Sequence, residues 1–133
     1  MKVFLDTNVL VSAVATRGLC ADVMREVLVS HQLVVSAPLF SELENILQNK
    51  LGLPHELISE FIEILEQESH HSSPSDLWDV DIRDTNDLTI LSSALNGEAD
   101  IFVTGDKELL DLGLISDMEI ISPKMFWEKL KAQ

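Results

Sequence analysis

Four acidic residues stand at positions where their carboxylates can meet. Asp6 follows the first apolar strand pattern of the chain, and Asp106 follows the third. Because the carboxyl ends of parallel strands lie on one edge of a sheet, where open α/β sheets bind ligands, both acids are expected at that edge. Glu42 lies about one turn into the helix that follows the second strand, and Asp87 opens the helix before the third strand. The spacing therefore predicts one acidic site.

Asp87 is expected to face the body of the protein rather than water. On a helical wheel it shares a stripe with Leu91, Ala94 and Leu95. Carboxylates that converge repel each other and raise each other's pKa values unless a cation neutralises them. Oxygen ligands without Cys or His suit Mg²⁺ or Mn²⁺. Such a site favours metal-dependent hydrolysis of a phosphodiester by a metal-activated water.

Each acid also has a purely structural interpretation, and these interpretations stay open at this stage. Asp6 or Asp106 would then cap a turn at a strand end, and Glu42 would be a solvated helix residue. Asp87 would be a favourable charge near a helix N-terminus. Taken together, the positions of the four acids favour the metal site over four independent structural roles.

Strand and helix patterns alternate along the chain, which predicts an α/β fold around a mainly parallel sheet. Residues 12–18 are predicted to turn the chain, and the polar stretch 67–76 is predicted to be a connection within one domain of residues 1–133. His70 and His71, which lie in that stretch, are expected on a surface loop rather than at a metal. Strands are expected near residues 2–5, 33–35, 101–103 and 119–122, and helices near residues 19–29, 38–47, 57–65, 88–95 and from 123.

The composition limits the classes of partner. Nine Lys and Arg against 23 Asp and Glu give a net charge of −14, which opposes nonspecific binding to a polyanion. The same charge leaves room for divalent cations or for a basic partner protein. The chain has no apolar run long enough for a membrane helix and no signal-peptide pattern, so a soluble, cytoplasmic protein is expected. Cys20, as a single cysteine, cannot form an internal disulfide.

Four motifs in order carry a resemblance to a known family, the PIN-domain family, over nearly the whole chain. They are Asp6-Thr7-Asn8-Val9-Leu10, Ser41-Glu42-Leu43, Asp87 with Ile90 and Ala94, and Val103-Thr104-Gly105-Asp106. The chain is most similar to the small single-domain members described as toxins of toxin–antitoxin pairs. The resemblance implies a three-layer α/β/α sandwich around a Rossmann-like sheet, Mg²⁺ or Mn²⁺ binding and cleavage of single-stranded RNA. It also implies an antitoxin protein as partner and a homodimer.

By position, the resemblance implies that Asp6, Glu42 and Asp87 are the three core acids and that Asp106 is the fourth. Glu44 competes with Glu42, because the helical wheel places both at similar angles beside the apolar stripe. Glu42 is preferred since it lies nearer the helix start and since Glu-Leu is the usual pair in the family.

Three further motif positions, Thr7, Asn8 and Thr104, are expected to donate hydrogen bonds that orient the carboxylates. Relatives commonly have Asp-Pro where this chain has Asp84-Thr85, which leaves Asp84 open between a role in the site and a helix cap.

RNA binding is the least supported part of the resemblance. Relatives tend to carry more basic residues after the second helix, where this chain has Lys50. Arg17, Arg83 and Lys107 are the cations to look for near the cleft.

Two other functions compete with the nuclease. One is a phosphoryl-transfer enzyme or receiver domain. Asn8 opposes a phosphatase of the haloacid dehalogenase type, which needs a second Asp at that position. A receiver domain needs a phospho-accepting Asp at its central strand end and a later strand-end Lys, and the sequence offers no clear candidates for these. The other is an acidic protein-interaction module with a weak or inactive metal site, which the net charge favours.

Overall fold

A six-stranded sheet carries the fold in the computed structural model, which describes residues 1–67, 69–72 and 76–132. The strand order is β3-β2-β1-β4-β6-β5, and every neighbouring pair is parallel except β5 with β6. The strands are β1 (Lys2–Leu5), β2 (Gln32–Ser36), β3 (His70–Ser72), β4 (Ile101–Val103), β5 (Leu114–Ile115) and β6 (Met118–Ile121). The predicted α/β fold with a mainly parallel sheet is confirmed.

Seven helices connect and cover the strands within the described residues, as expected for an α/β/α sandwich. They are α1 (Thr7–Ala15), α2 (Leu19–Ser30), α3 (Ala37–Asn49), α4 (His55–Gln67), α5 (Thr85–Asn96), α6 (Lys107–Leu110) and α7 (Pro123–Lys131). The rings of Phe4 and Phe102 stack at 5.2 Å between centroids across the central strands, and both side chains are fully buried. Apolar burial at this position fixes β1 against β4.

Strands are added on one side of β1 and then on its other side, and this change of side at β1 positions the site. From β1 the chain proceeds outward through β2 and β3, then returns to the other side of β1 as β4. Leu5 pairs with Val103 in register, and the Asp6 amide donates to the Val103 carbonyl at 2.9 Å. The residues that follow β1 and β4 therefore emerge together at the end where the parallel strands stop, which we name the carboxyl edge. Ligands of open α/β sheets bind at such a switch point.

Helix α1 corrects the prediction of a turn over residues 12–18. The helix begins at Thr7, directly after the strand, because the Asp6 carboxylate caps its first turn. Val9, Leu10 and Ala13 are buried, so a helical face does exist in this segment. The β-branched Thr and Val residues, which have low helix propensity, hid it from the pattern. Helix α1 instead runs to Ala15, and only residues 16–18 turn the chain.

Strand β3 corrects the prediction that 67–76 is only a connection. His70–Ser72 pairs in parallel with Val34–Ser36 of β2, so the two histidines lie on an edge strand and not on a loop. The turn after α5 packs closely here, because a Cβ on Gly97 would lie 2.6 Å from the Val34 side chain. Within that stretch, residues 68 and 73–75 lie outside the described residues. The two-residue strand β5 was also not predicted.

Among the residues that the structure describes, none of the helices is both long enough and apolar enough to cross a membrane.

Candidate metal centre

Asp6 is a buried carboxylate at the carboxyl edge of the central strand. Its side chain is held by protein donors on both oxygens, and the residue is only 6% exposed. Oδ1 accepts from the Thr7 amide at 2.8 Å, and Oδ2 accepts from the Thr104 hydroxyl at 2.7 Å. The Asn8 amide nitrogen is a more distant donor to Oδ2, at 3.4 Å. These contacts fix the orientation of the carboxylate before any ligand is present.

Thr104 ties the two strand ends together. Its hydroxyl, which donates to Asp6, also accepts from the Asp106 amide at 3.0 Å, and the residue is fully buried. The Gly105 amide donates to the Asn8 side-chain oxygen at 3.3 Å. The three positions expected to donate to carboxylates therefore include two, Asn8 and Thr104, whose side chains contact Asp6. Thr7 contributes its backbone amide instead.

The environment of Asp6 disfavours its charged form. Burial raises the pKa of Asp6 from 3.8 to about 6, the bonds from Thr104 and Thr7 oppose the rise, and the charges of Glu42 and Asp106 add to it. An unpaired carboxylate in a low-dielectric environment behaves in this way. A cation at this position would stabilise the charged form of Asp6 and so oppose the rise in its pKa.

Asp87 shows the same effect from the other side of the site. Burial raises its pKa from 3.8 to about 6, and the charges of Asp84, Asp106, Asp6 and Glu42, in that order, raise it further. The structure therefore brings the four acids singled out in the sequence into one electrostatically coupled group, and it adds Asp84. We name these five residues the acid cluster.

Glu42 rather than Glu44 belongs to this group. Glu42 is half-buried, and its charge raises the pKa of both Asp6 and Asp87. Glu44 is exposed, and its charge is not among the causes of either shift. The wheel did not separate the two residues, because the choice depends on how α3 packs beside α5 and not on α3 alone.

Asp84 and Asp106 both cap helices. Oδ1 of Asp84 accepts from the Asn86 amide at 2.8 Å, and Oδ1 of Asp106 accepts from the Glu108 amide at 2.9 Å. Each of these acids therefore caps a helix through one carboxylate oxygen, as its structural interpretation predicted. The second carboxylate oxygen of each is available to a ligand. Within the described part of the chain, the side chains of Glu42 and Asp87 accept no hydrogen bond from the protein.

No positive side chain compensates the acid cluster in the described residues. The ion pairs found there join Lys2 to Glu98, Arg25 to Asp22 and Lys129 to Glu119. Of the three cations expected near the cleft, Arg83 contributes its backbone amide to Glu108, Lys107 is exposed at the start of α6, and Arg17 lies in the turn between α1 and α2. None of the three forms an ion pair with the acid cluster.

The donor chemistry of the acid cluster fits Mg²⁺ or Mn²⁺, since it offers only oxygen ligands and a large uncompensated charge. Over residues 1–67, 69–72 and 76–132, however, no three His, Cys, Asp or Glu side chains converge closely enough to enclose an ion. Next to Asp6, the buried hydroxyl oxygen of Thr7 has no hydrogen-bond partner among the residues that the structure describes. The arrangement is an open one, in which waters would have to complete the coordination, as they do around Mg²⁺ in proteins.

A groove of about 490 Å³ leads away from Glu42 between α3 and α5. We name it the α3–α5 groove, and it is lined by Pro38, Ser41, Glu42, Asn45, Asn86, Thr89 and Ile90. Ser41, Glu42 and Ile90 belong to motifs recognised in the sequence, whereas Asn45, Asn86 and Thr89 were not predicted. A signal for them does exist, because Ser41 and Asn45, like Asn86 and Thr89, recur at helical spacing beside an acid of the cluster.

Comparison with known proteins agrees with the fold and the motifs. A family model described as PIN domain matches residues 2–108, which is most of the chain. No curated protein matches. Among solved structures, a chain in the crystal structure of VapBC2 from Rickettsia felis bound to a DNA fragment from their promoter aligns with a TM-score of 0.61 and 16% identity. The alignment covers 92% of this chain and 98% of that chain, and at this identity it bears on the fold alone. On the family match, the chain belongs to the PIN-domain family.

Proposed function

We propose that residues 1–133 form one PIN-like nuclease domain, a metal-dependent endoribonuclease that hydrolyses single-stranded RNA. The observation that carries the proposal is the acid cluster: burial and mutual charge raise the pKa of Asp6 and Asp87 to about 6, and no cation among the described residues forms an ion pair with them. Carboxylates whose pKa is raised by burial and by neighbouring charges are typical of sites that bind a ligand or catalyse a reaction. Membership of the PIN-domain family supports the same reaction class.

Asp6, Glu42, Asp87 and Asp106 are the residues that would hold Mg²⁺ or Mn²⁺, with Asp84 as a further acid at the same site. When bound, such an ion supplies charge that lowers the pKa of a water molecule and stabilises the negative charge of the phosphate in the transition state. Because the ligands come from α3, α5 and two strand ends, the sheet holds them at fixed separations.

The chain itself orients the carboxylates, and the hydrogen bonds from Thr104 and Thr7 partly offset the rise that burial causes in the pKa of Asp6. Thr104 donates to Asp6 while it accepts from the backbone of Asp106, so one hydroxyl couples the ligands on β1 and β4. Asn8 supports the same arrangement by contacting both Asp6 and Gly105. No protein nucleophile is required, since the attacking oxygen comes from water.

The partners follow from the charge. With a net charge of −14 the chain cannot hold RNA by phosphate contacts alone, so metal contacts and groove contacts have to supply most of the affinity.

We propose that the chain is the toxin of a toxin–antitoxin pair, forms a homodimer and works in the cytoplasm. Its fold neighbour, VapBC2, was solved as a complex, which supports a protein partner.

RNA cleavage by the purified chain tests the proposal. Single-stranded RNA should be cleaved in Mn²⁺ or Mg²⁺, cleavage should stop in EDTA, and excess metal should restore it. Because water and not the 2′-hydroxyl attacks, the products should carry no 2′,3′-cyclic phosphate and should incorporate ¹⁸O from labelled water. Asp6→Asn, prepared in parallel, controls for a contaminating nuclease. Cleavage that persists in EDTA or in this variant would refute the proposal.

The acidic interaction module is the second candidate, and one observation favours it: no three side chains of the described residues already enclose an ion. Calorimetric titration with Mn²⁺ near neutral pH separates the two functions. Saturable binding that Asp6→Asn removes supports the nuclease, whereas the absence of saturable binding supports the module.

A further inference from the structure

The α3–α5 groove differs in chemistry from the acid cluster that it adjoins. Glu42 lies at the junction, since it lines the groove and also raises the pKa of Asp87 in addition to the effect of burial. Every other lining residue in the described part of the chain is uncharged. A chain of RNA whose phosphate lies at the acid cluster would therefore place a neighbouring nucleotide against a neutral surface.

The groove has the composition of a base-binding site and not of a phosphate-binding site. Pro38 and Ile90 supply an apolar wall, and Asn45, Asn86 and Thr89 supply amides and a hydroxyl. Unpaired bases are bound through contacts to their flat faces and hydrogen bonds to their edges, whereas phosphates need cations. Among residues 1–67, 69–72 and 76–132, no Lys or Arg lines the groove. Its volume, about 490 Å³, lies within the usual range for small-ligand sites.

A neighbour holds the side chain of Asn45, and the backbone of Asn86 is fixed by a helix cap. The Asn49 amide nitrogen donates to the Asn45 side-chain oxygen, which leaves the Asn45 N–H groups for a ligand. The Asn86 backbone donates to Asp84, which fixes the first turn of α5. Within the described residues the side chain of Asn86 has no hydrogen-bond partner, so its amide is also available. A donor and acceptor pair on an amide matches the edge of a base, with adenine as the best match.

We propose that the α3–α5 groove binds one unpaired nucleobase next to the cleaved linkage and that Asn45 and Asn86 determine which base is accepted. This inference rests on the proposed ribonuclease function, because it concerns the substrate of the same site. It assigns sequence preference to neutral side chains on α3 and α5, so the choice of base does not require a basic residue in the groove.

A randomised single-stranded RNA window, with the product ends sequenced, measures the base preference. The wild-type chain should prefer one base beside the cleaved linkage, with adenine expected. Asn45→Ala and Asn86→Ala should each reduce that preference by about tenfold, the size expected for the loss of an amide–base contact. Gln48→Ala is the matched control, because Gln48 is an exposed amide on α3 that does not line the groove. Thermal unfolding checks that each variant is folded.

A second measurement separates the two proposals. In Asp6→Asn protein, fluorescence anisotropy with single-stranded A, C, G and U octamers should show the same preference, and Asn45→Ala in that background should remove it. Cleavage by the wild type with a preference that Asn45→Ala and Asn86→Ala leave intact, or with no preference, overturns the inference and leaves the nuclease. Asn-dependent binding without cleavage supports the groove and overturns the nuclease, and the absence of both overturns both.

Discussion

The two edges of the sheet treat their acidic residues in opposite ways. At the edge where the parallel strands begin, which we name the amino edge, Asp100 accepts from the Lys2 amide at 2.8 Å and Glu98 lies 3.9 Å from the Lys2 ammonium. The N-terminal amine lies 3.5 Å from the imidazole of His31. At the carboxyl edge the acid cluster has no such positive partner in the described residues. Of the two edges, the amino edge is therefore the one at which a described cation is paired with an acid.

The difference separates an acid that is paired with a cation of the protein from acids that, within the described residues, have no such partner. An exposed ion pair such as Lys2 with Glu98 changes the free energy of unfolding little, because water screens the two charges. A buried carboxylate such as Asp6 is costly, and its raised pKa, caused mainly by burial, records that cost. The type of residue is the same at both edges, so composition alone cannot distinguish them. The position relative to strand ends can.

The largest expected effect is on RNA cleavage by carboxylate-to-amide variants at the two edges. Asp6→Asn, Asp87→Asn and Asp106→Asn should each lower the cleavage rate by at least about a thousandfold, because the metal contributes several kcal/mol of transition-state stabilisation. Asp100→Asn at the amino edge should change the rate by less than about twofold. Initial rates with a single-stranded RNA measure both sets. Equal losses at the two edges would contradict the distinction.

The next effect is on the pH dependence of stability without metal. The folded pKa of Asp6, about 6, lies above its ordinary value of 3.8. A raised acid pKa means that its contribution to the free energy of unfolding is full below about pH 4 and is lost as the pH rises through about 6. The difference for Asp6 is about 3 kcal/mol, and Asp87 acts in the same direction.

Asp6→Asn removes this dependence. In EDTA the variant should be more stable than the wild type at pH 7.5, and the advantage should shrink towards pH 4. Denaturant unfolding at several pH values measures the difference, and Asp100→Asn serves as the control at the amino edge. Mn²⁺ should reverse the order at pH 7.5, since it stabilises the wild type alone. A difference between wild type and variant that does not change with pH would contradict the electrostatic explanation.

A smaller effect is expected from the residue that orients Asp6. Thr104→Val removes the hydroxyl that donates to Asp6 and accepts from the Asp106 amide. Manganese affinity should fall by about tenfold, the lower end of the range for residues that support metal ligands. Thr104→Ser keeps the hydroxyl and should recover most of the affinity in calorimetric titration. If valine and serine weaken binding equally, packing of the methyl group and not the hydrogen bond supports the site.

The sequence predicted the parts of the fold that depend on local patterns. Apolar runs located β1, β4 and β6, and the strand ends then placed Asp6 and Asp106 on one edge. Strand β3 could not be predicted, because His70–Ser72 is polar and becomes a strand only by pairing with β2. Helix α1 was missed since Asp6, interpreted as the end of a strand, is also the cap of the next helix.

The same limit applies to the site. The helical stripe placed Asp87 towards the interior correctly, because that depends on α5 alone. Membership of Asp84 in the acid cluster, and the groove formed by Asn45 with Asn86, depend on how two helices approach each other. No periodicity within one helix contains that information.

The smallest expected effect tests whether the packing of α3 places Glu42, and not Glu44, in the acid cluster. Burial is the main cause of the raised pKa of Asp6 and Asp87, and the charge of Glu42 adds to it at both residues. Glu42→Gln should therefore lower both pKa values modestly in the protein without metal, while Glu44→Gln, two residues further along α3, should leave them unchanged. Carboxyl ¹³C shifts recorded against pH report the two titrations separately. An equal response to Glu42→Gln and Glu44→Gln would mean that general surface charge, and not a specific place in the acid cluster, connects α3 to the site.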